Sequence, residues 1–167
     1  MDPFAASPAW TSGPALSVNR DTKGPGLAAA MAVSYNGYIY VFGGNSDTVS
    51  SFSNQTVRLD TTNTAAGWSK MTTTGESILT RIGGVAAVIG NTMYVVAGFA
   101  SSAAAKGPFV HTTQALNLDT MAWSNVAGAT LPNAVGSSDD SVGFKGCLVA
   151  VNGSLYYMRK TYLLKWT

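Results

Sequence analysis

Short apolar runs broken by turn residues dominate the chain. Residues 28–33 and 38–42 flank Asn36-Gly37, and the second run ends in Gly43-Gly44. The same arrangement returns in GGVAAVIGNTMYVVAG, residues 83–98, with Gly90-Asn91 at its centre. It returns again in KGCLVAVNGSLYYM, residues 145–158, around Asn152-Gly153. Asn-Gly between β-prone runs predicts a hairpin, because both central residues of the tight turn need positive φ. Paired glycines after a strand predict a place where backbone passes close to a neighbour. Downstream, residues 55–60 alternate Thr56, Arg58 and Asp60 against Val57 and Leu59, the period of a half-buried strand. Residues 113–119 form the corresponding run after the second hairpin, and no segment carries a helical period.

The hairpins are copies of one unit. Tyr40, Tyr94 and Tyr156 recur 54 and 62 residues apart. Self-similarity near 50 residues in units of short strands is a propeller-type period. Each of the first two units adds a late element, Leu59-Asp60 then Trp68, and Leu118-Asp119 then Trp123. Apolar run, turn glycine, Tyr-Val-Phe-Gly-Gly, variable loop, apolar-Asp strand and Trp together resemble the kelch repeat of β-propellers. The resemblance covers about residues 27–167, with Trp10 as an outer-strand remnant. Two departures stand out: Ala97-Gly98 replaces the glycine pair in the second unit, and no such pair follows Met158.

The expected fold is all-β, kelch-type blades in an incomplete or oligomer-completed ring. Residues 1–26 read as an outer strand and linker, 27–71 as blade 1, 72–126 as blade 2 with its connector, and 127–167 as a partial third blade. Closed propellers hold about four to eight four-stranded blades. Three alone would leave edge strands unpaired. The chain therefore reads as a piece of a longer propeller or as part of an assembly. By the resemblance, the N-terminal strand would complete the last blade of a closed ring, and residues 162–166 look like a compressed third and fourth strand or, equally, a chain cut short.

Charge narrows the partners. Ten basic and eight acidic residues give a net charge of +2 without any run of one sign. A nucleic-acid footprint would gather its cations on one stripe, so none is expected. No run approaches the roughly 18 apolar residues of a membrane span. The first residues lack the basic and apolar segments of a signal peptide. A charged fraction of 11% lies far below the usual value of about 25%. With Ser, Thr, Ala, Gly and Asn at the surface, this suits an extracellular or cell-surface protein better than a cytoplasmic one. Asn54 in Asn-Gln-Thr is a candidate glycan acceptor in a loop; Asn152-Gly153-Ser154 sits in a tight hairpin, where chance explains it as well. The lone Cys147 lies in an apolar run and is expected as a buried, inert thiol.

Candidate chemistry is thin. His111 is the sole histidine, so no zinc or copper set can be assembled; no metal and no cofactor are expected. The copper-radical oxidases of the galactose-oxidase type, also kelch-like propellers, need more than one His. Asp139-Asp140 is a carboxylate pair in a connector, where solvation is the ordinary fate. No Ser sits in a recognisable nucleophile motif, and catalytic residues are expected to be absent. Arg81 precedes Ile82-Gly83-Gly84 at the start of an innermost strand. The kelch resemblance implies that an Arg there faces the ring mouth and contacts ligand peptides, and its planar fork suits carboxylates. A surface salt bridge is the plainer alternative. Phe52, Phe99 and Phe109 lie in otherwise small, polar loops on the same mouth and are candidate interface anchors, or else fold back onto their own blade. Tyr40, Tyr94, Trp68 and Trp123 are expected in core and inter-blade packing.

The function expected is a non-enzymatic protein-binding scaffold that recognises its partner through loops at one mouth. One alternative is a segment of a carbohydrate-active or galactose-oxidase-like enzyme with its catalytic residues elsewhere. The other is a glycosylated extracellular structural module that self-associates or pairs with further blades.

Overall fold

A computed structural model of the chain describes residues 11–16, 27–45, 53–100, 109–132, 146–159 and 161–167. Trp10, Phe52, Asp139 and Asp140 lie outside them. The first sheet joins β1 (Met31–Tyr35), β2 (Tyr38–Phe42), β3 (Thr56–Asp60) and β4 (Trp68–Met71) in chain order, each pair antiparallel. The turn between β1 and β2 has Asn36 at φ 48° and Gly37 at φ 78°, as the Asn-Gly signal requires.

Next come β5 (Thr74–Gly75) and β6 (Arg81–Ile82), then β7 (Val85–Ile89), β8 (Thr92–Val96), β9 (Phe99–Ala100), β10 (Thr112–Asn117) and β11 (Ala122–Thr130). β7, β8, β10 and β11 form the second sheet, with β5 added parallel to β11 at its edge. β6 and β9 continue the β7–β8 hairpin as a separate two-stranded ladder. In the second hairpin Gly90 takes the positive φ, 60°. β11 runs on to Thr130, through a stretch that reads as connector, because a bulge around Gly128 (φ 75°) restores pairing between Thr112 and Thr130.

The third sheet holds β12 (Gly146–Val151), β13 (Ser154–Arg159) and β14 (Tyr162–Trp166). β14 is a single third strand paired along its length with β13, not two compressed strands. Cys147 is exposed, contrary to the buried thiol that its apolar run implies. Its strand alternates, and Cys147 points to the face of the third sheet that no other described element covers.

β7 packs between β1 and β12, so the innermost strands of the three sheets stand side by side without closing a ring. Two seams hold them. In the first, Met31, Val33, Tyr40 and Phe42 of blade 1 meet Met93, Val95, Leu116 and Trp123 of blade 2. In the second, Val96, Phe99, Phe109 and Leu131 meet Tyr157 of blade 3, with Leu148 and Leu164 at the margin. Burial of side chains of this size stabilises by roughly 1.5–3 kcal/mol each. Among the described residues no helix is long and apolar enough to cross a membrane.

Candidate functional site

One end of the three sheets collects the starts of all three innermost strands. The chain arriving at β1 pairs with the chain leaving β2: Ala28 and Asn45 exchange backbone hydrogen bonds at 2.8 Å. Gly83 N–H donates to Ala29 O at 2.9 Å and Gly44 N–H to Arg81 O at 3.3 Å, so the mouths of blades 1 and 2 are stitched through backbone. This contact needs Gly43-Gly44. Gly43 has φ 70°, and a Cβ there would lie 2.7 Å from Arg81 O. Ala97 and Gly98, where the second unit departs from the glycine pair, nonetheless both adopt positive φ, 61° and 93°.

Between these segments lies a cavity of about 190 Å³ lined by Ala29, Ala30, Gly83, Gly84, Val85 and Gly146. Its lining is small and largely backbone, with no acid, base or nucleophile side chain. Such a surface can receive an inserted side chain or an extended backbone, but it cannot move a proton.

Arg81 stands directly behind this mouth. Its side chain is fully buried, 0% exposed, where the sequence leads one to expect a ligand-facing fork or a surface salt bridge. Nη1 donates to Ala97 O at 3.1 Å and to Thr112 O at 3.3 Å; Nη2 donates to Gln114 Oε1 at 2.9 Å. Nε has no partner among the described residues. Burial pushes the guanidinium pKa down to about 10. The fork thus closes on blade 2's own carbonyls, tying β6 to β8 and β10.

Gln114 is the residue that sequence reasoning missed. It occupies the same face of β10 as core Leu116, and a polar side chain at a core-facing position signals a buried partner. Besides accepting from Arg81, its Oε1 accepts from Leu79 N–H at 3.1 Å, and Nε2 donates to Ser77 O at 3.0 Å and Asn125 Oδ1 at 3.1 Å. Asn125 Nδ2 donates in turn to Glu76 Oε2 at 3.3 Å. The segment leading into the mouth is held to blade 2 by this chain of bonds.

Phe99 and Phe109 fold back onto their blade. They are buried, meet edge to face at 5.7 Å, and belong to the second seam. The Arg159 guanidinium lies 4.8 Å over the Phe109 ring, and the His111 ring packs edge to face on Phe109 at 4.9 Å while its Nδ1 lies 3.1 Å from Leu131 O. No group of His, Cys, Asp or Glu able to hold a metal occurs among the described residues.

Residues 9–164 match the family model described as the KLHDC2/KLHL20/DRC7 Kelch-repeats domain. The chain belongs to the kelch-repeat family. Among curated proteins no match is found. Kelch-repeat domains are typically protein-binding scaffolds and generally not enzymes. Aromatic pairs bridge the blades: Phe42 packs on Trp123 with ring centroids 4.8 Å apart, and Tyr94 packs on Trp166 at 5.4 Å. Trp68, at the outer strand of the first kelch blade, instead donates from Nε1 to Pro14 O at 3.2 Å and so anchors the preceding segment.

Proposed function

We propose that this kelch chain is a non-enzymatic protein-binding scaffold that engages its partner at the mouth where β1, β7 and β12 begin. The observation that carries the reading is the cavity of about 190 Å³ at that mouth, lined by alanine, glycine and Val85 and free of catalytic side chains. Small residues leave backbone groups within reach of a peptide, and the rigid sheets behind keep the geometry fixed. In this reading Arg81, Phe99 and Phe109 act on recognition by bracing the mouth from behind. Phe52, in the loop after β2, is the anchor proposed to touch the partner directly.

A random-sequence peptide display library, selected on the folded chain, tests this. Ala30→Arg fills the cavity and is expected to abolish binding of the selected peptides. Thr120→Arg, on the exposed turn at the opposite end, is expected to leave it intact. Peptides that bind both variants equally would overturn the mouth as the recognition surface.

Asn54 is exposed just before β3, which supports a further reading of the chain as a glycosylated extracellular module. Intact mass of protein secreted from a eukaryotic host, native against Asn54→Gln, tests it: a difference of a glycan supports the reading, and identical unmodified masses contradict it.

A further inference from the structure

The three hairpin turns use the same two residue types in two orders. Blades 1 and 3 turn at Asn36-Gly37 and Asn152-Gly153, whereas blade 2 turns at Gly90-Asn91. In blades 1 and 3 both turn residues are left-handed, with Asn36 and Asn152 at φ 48°, Gly37 at φ 78° and Gly153 at φ 75°. All four are exposed.

The order of the pair decides its chemistry. In Asn-Gly the backbone nitrogen of Gly directly follows the Asn side chain, and glycine has no Cβ to shield it. That nitrogen, once it loses its proton, attacks the Asn Cγ. A C–N bond forms, the side-chain amide leaves as ammonia, and a succinimide ring remains. Water opens the ring at one carbonyl to give aspartate, or at the other to give isoaspartate. Neither an oxidant nor a reductant is needed. In blade 2 the residue after Asn91 is Thr92, which is β-branched and already inside β8. Asn91 Nδ2 also donates to Asp119 Oδ2 at 2.7 Å, and its Oδ1 accepts from the Thr92 hydroxyl at 3.2 Å.

The turn of blade 1 carries a brake and a consequence. A left-handed turn holds the Gly nitrogen away from Cγ, so ring closure needs the turn to open. Gly37 O accepts from Thr61 N–H at 3.0 Å and from Thr61 Oγ at 2.7 Å, and both bonds resist that opening. Next to the turn, Tyr35 OH donates to Asp119 Oδ1 at 3.0 Å and so joins blade 1 to blade 2. A carboxylate at position 36 sets like charge beside this contact. Isoaspartate also adds a main-chain carbon to the turn, which upsets the register that pairs Tyr35 with Tyr38.

We propose that Asn36 and Asn152 are sites of spontaneous deamidation, and that conversion of Asn36 loosens the Tyr35–Asp119 contact between blades 1 and 2. Ageing of the full chain in mildly alkaline buffer tests this. The readouts are peptide mass mapping and labelling by an isoaspartyl carboxyl methyltransferase. The expected result is conversion of amide to acid, with isoaspartate, at residues 36 and 152 and none at 91. No conversion at 36 and 152, or equal conversion at 91, overturns the assignment. Thr61→Val removes one bond to Gly37 O and is expected to speed conversion at Asn36 by about two- to tenfold, the worth of one hydrogen bond. Asn152 should keep its rate in that variant, and an unchanged rate at Asn36 contradicts the brake. Ion exchange separates the species altered at 36, which is expected to unfold at lower urea than the fresh chain. In Tyr35→Phe, which lacks the hydroxyl, the same conversion should cost less. An equal cost with and without the hydroxyl contradicts the link to blade 2.

Discussion

Arg81 Nη2 donates to Gln114 Oε1 at 2.9 Å within blade 2, where both side chains are almost wholly buried. The pair connects the strand leading into the mouth with the blade's central ladder. Replacing Arg81 by Met removes the donor to Gln114, Ala97 O and Thr112 O together. A buried polar group left unpaired costs about 1–3 kcal/mol, so Arg81→Met is expected to destabilise by about 3 kcal/mol. Gln114→Leu alone leaves Arg81 Nη2 without its acceptor, while Nη1 keeps Ala97 O and Thr112 O. The double variant is expected to lose about 1–2 kcal/mol less than the sum of the singles. Urea unfolding of the four proteins measures this coupling, and strict additivity would contradict the brace.

Gly43 sits at φ 70°, and its missing Cβ would meet both Arg81 O at 2.7 Å and Met31 Cε at 2.8 Å. Gly37 has a comparable φ, 78°, with open space around it. Gly37→Ala should cost only the backbone penalty of about 1–2 kcal/mol. Gly43→Ala should cost clearly more, since it must also push blade 1 and blade 2 apart. Equal midpoint shifts for the two would show that the mouth is not stitched as described.

Much of this architecture could be read from residues alone. Asn36-Gly37 and Asn152-Gly153 specify their turns by local backbone chemistry, so the hairpins and their repeat follow directly. Val57 and Leu59 are buried as their period of two implies. Trp123 reaches the core as expected, because a large aromatic on an outer strand has a neighbouring sheet to enter. Tertiary facts were less accessible. An apolar run does not say whether its sheet has a neighbour, so the run around Cys147 implies burial where the thiol is in fact exposed. Arg81 stands in the expected place, but the direction of its fork depends on Gln114, 33 positions away in sequence. The core-facing position of Gln114 signals a buried partner, but nothing local to it names Arg81.

Asp60 accepts from the hydroxyl of Thr62 at 2.6 Å and from its backbone N–H at 2.8 Å. These bonds, with smaller help from Arg58, hold its pKa below the usual aspartate value. A carboxylate whose folded pKa is lowered contributes stability above its unfolded pKa and loses it as pH falls through the folded one. Asp60→Ala should therefore unfold at lower urea than the native chain near about pH 7. The gap should narrow as pH falls below about 4. A gap that widens in acid would contradict the assignment.

Phe42 lies against Trp123 with the rings tilted by 51°. The pair joins two blades, so truncating it opens a cavity between sheets and not within one. Phe42→Ala is expected to cost about 3–5 kcal/mol. Tyr94→Ala, at the half-buried outer part of the second seam, should cost less. Thermal unfolding of both variants gives the order, and the reverse order would contradict the first seam as the principal one.

The account rests on the mouth being the face that meets a protein. Hydrogen exchange of the native chain, alone and with a peptide selected from the display library, tests that most directly. The expected result is slowed exchange at residues 28–30, 83–85 and 97–100 with no change at the turns around Asn36, Gly90 and Asn152. Protection confined to those turns, with the mouth unaffected, would contradict it.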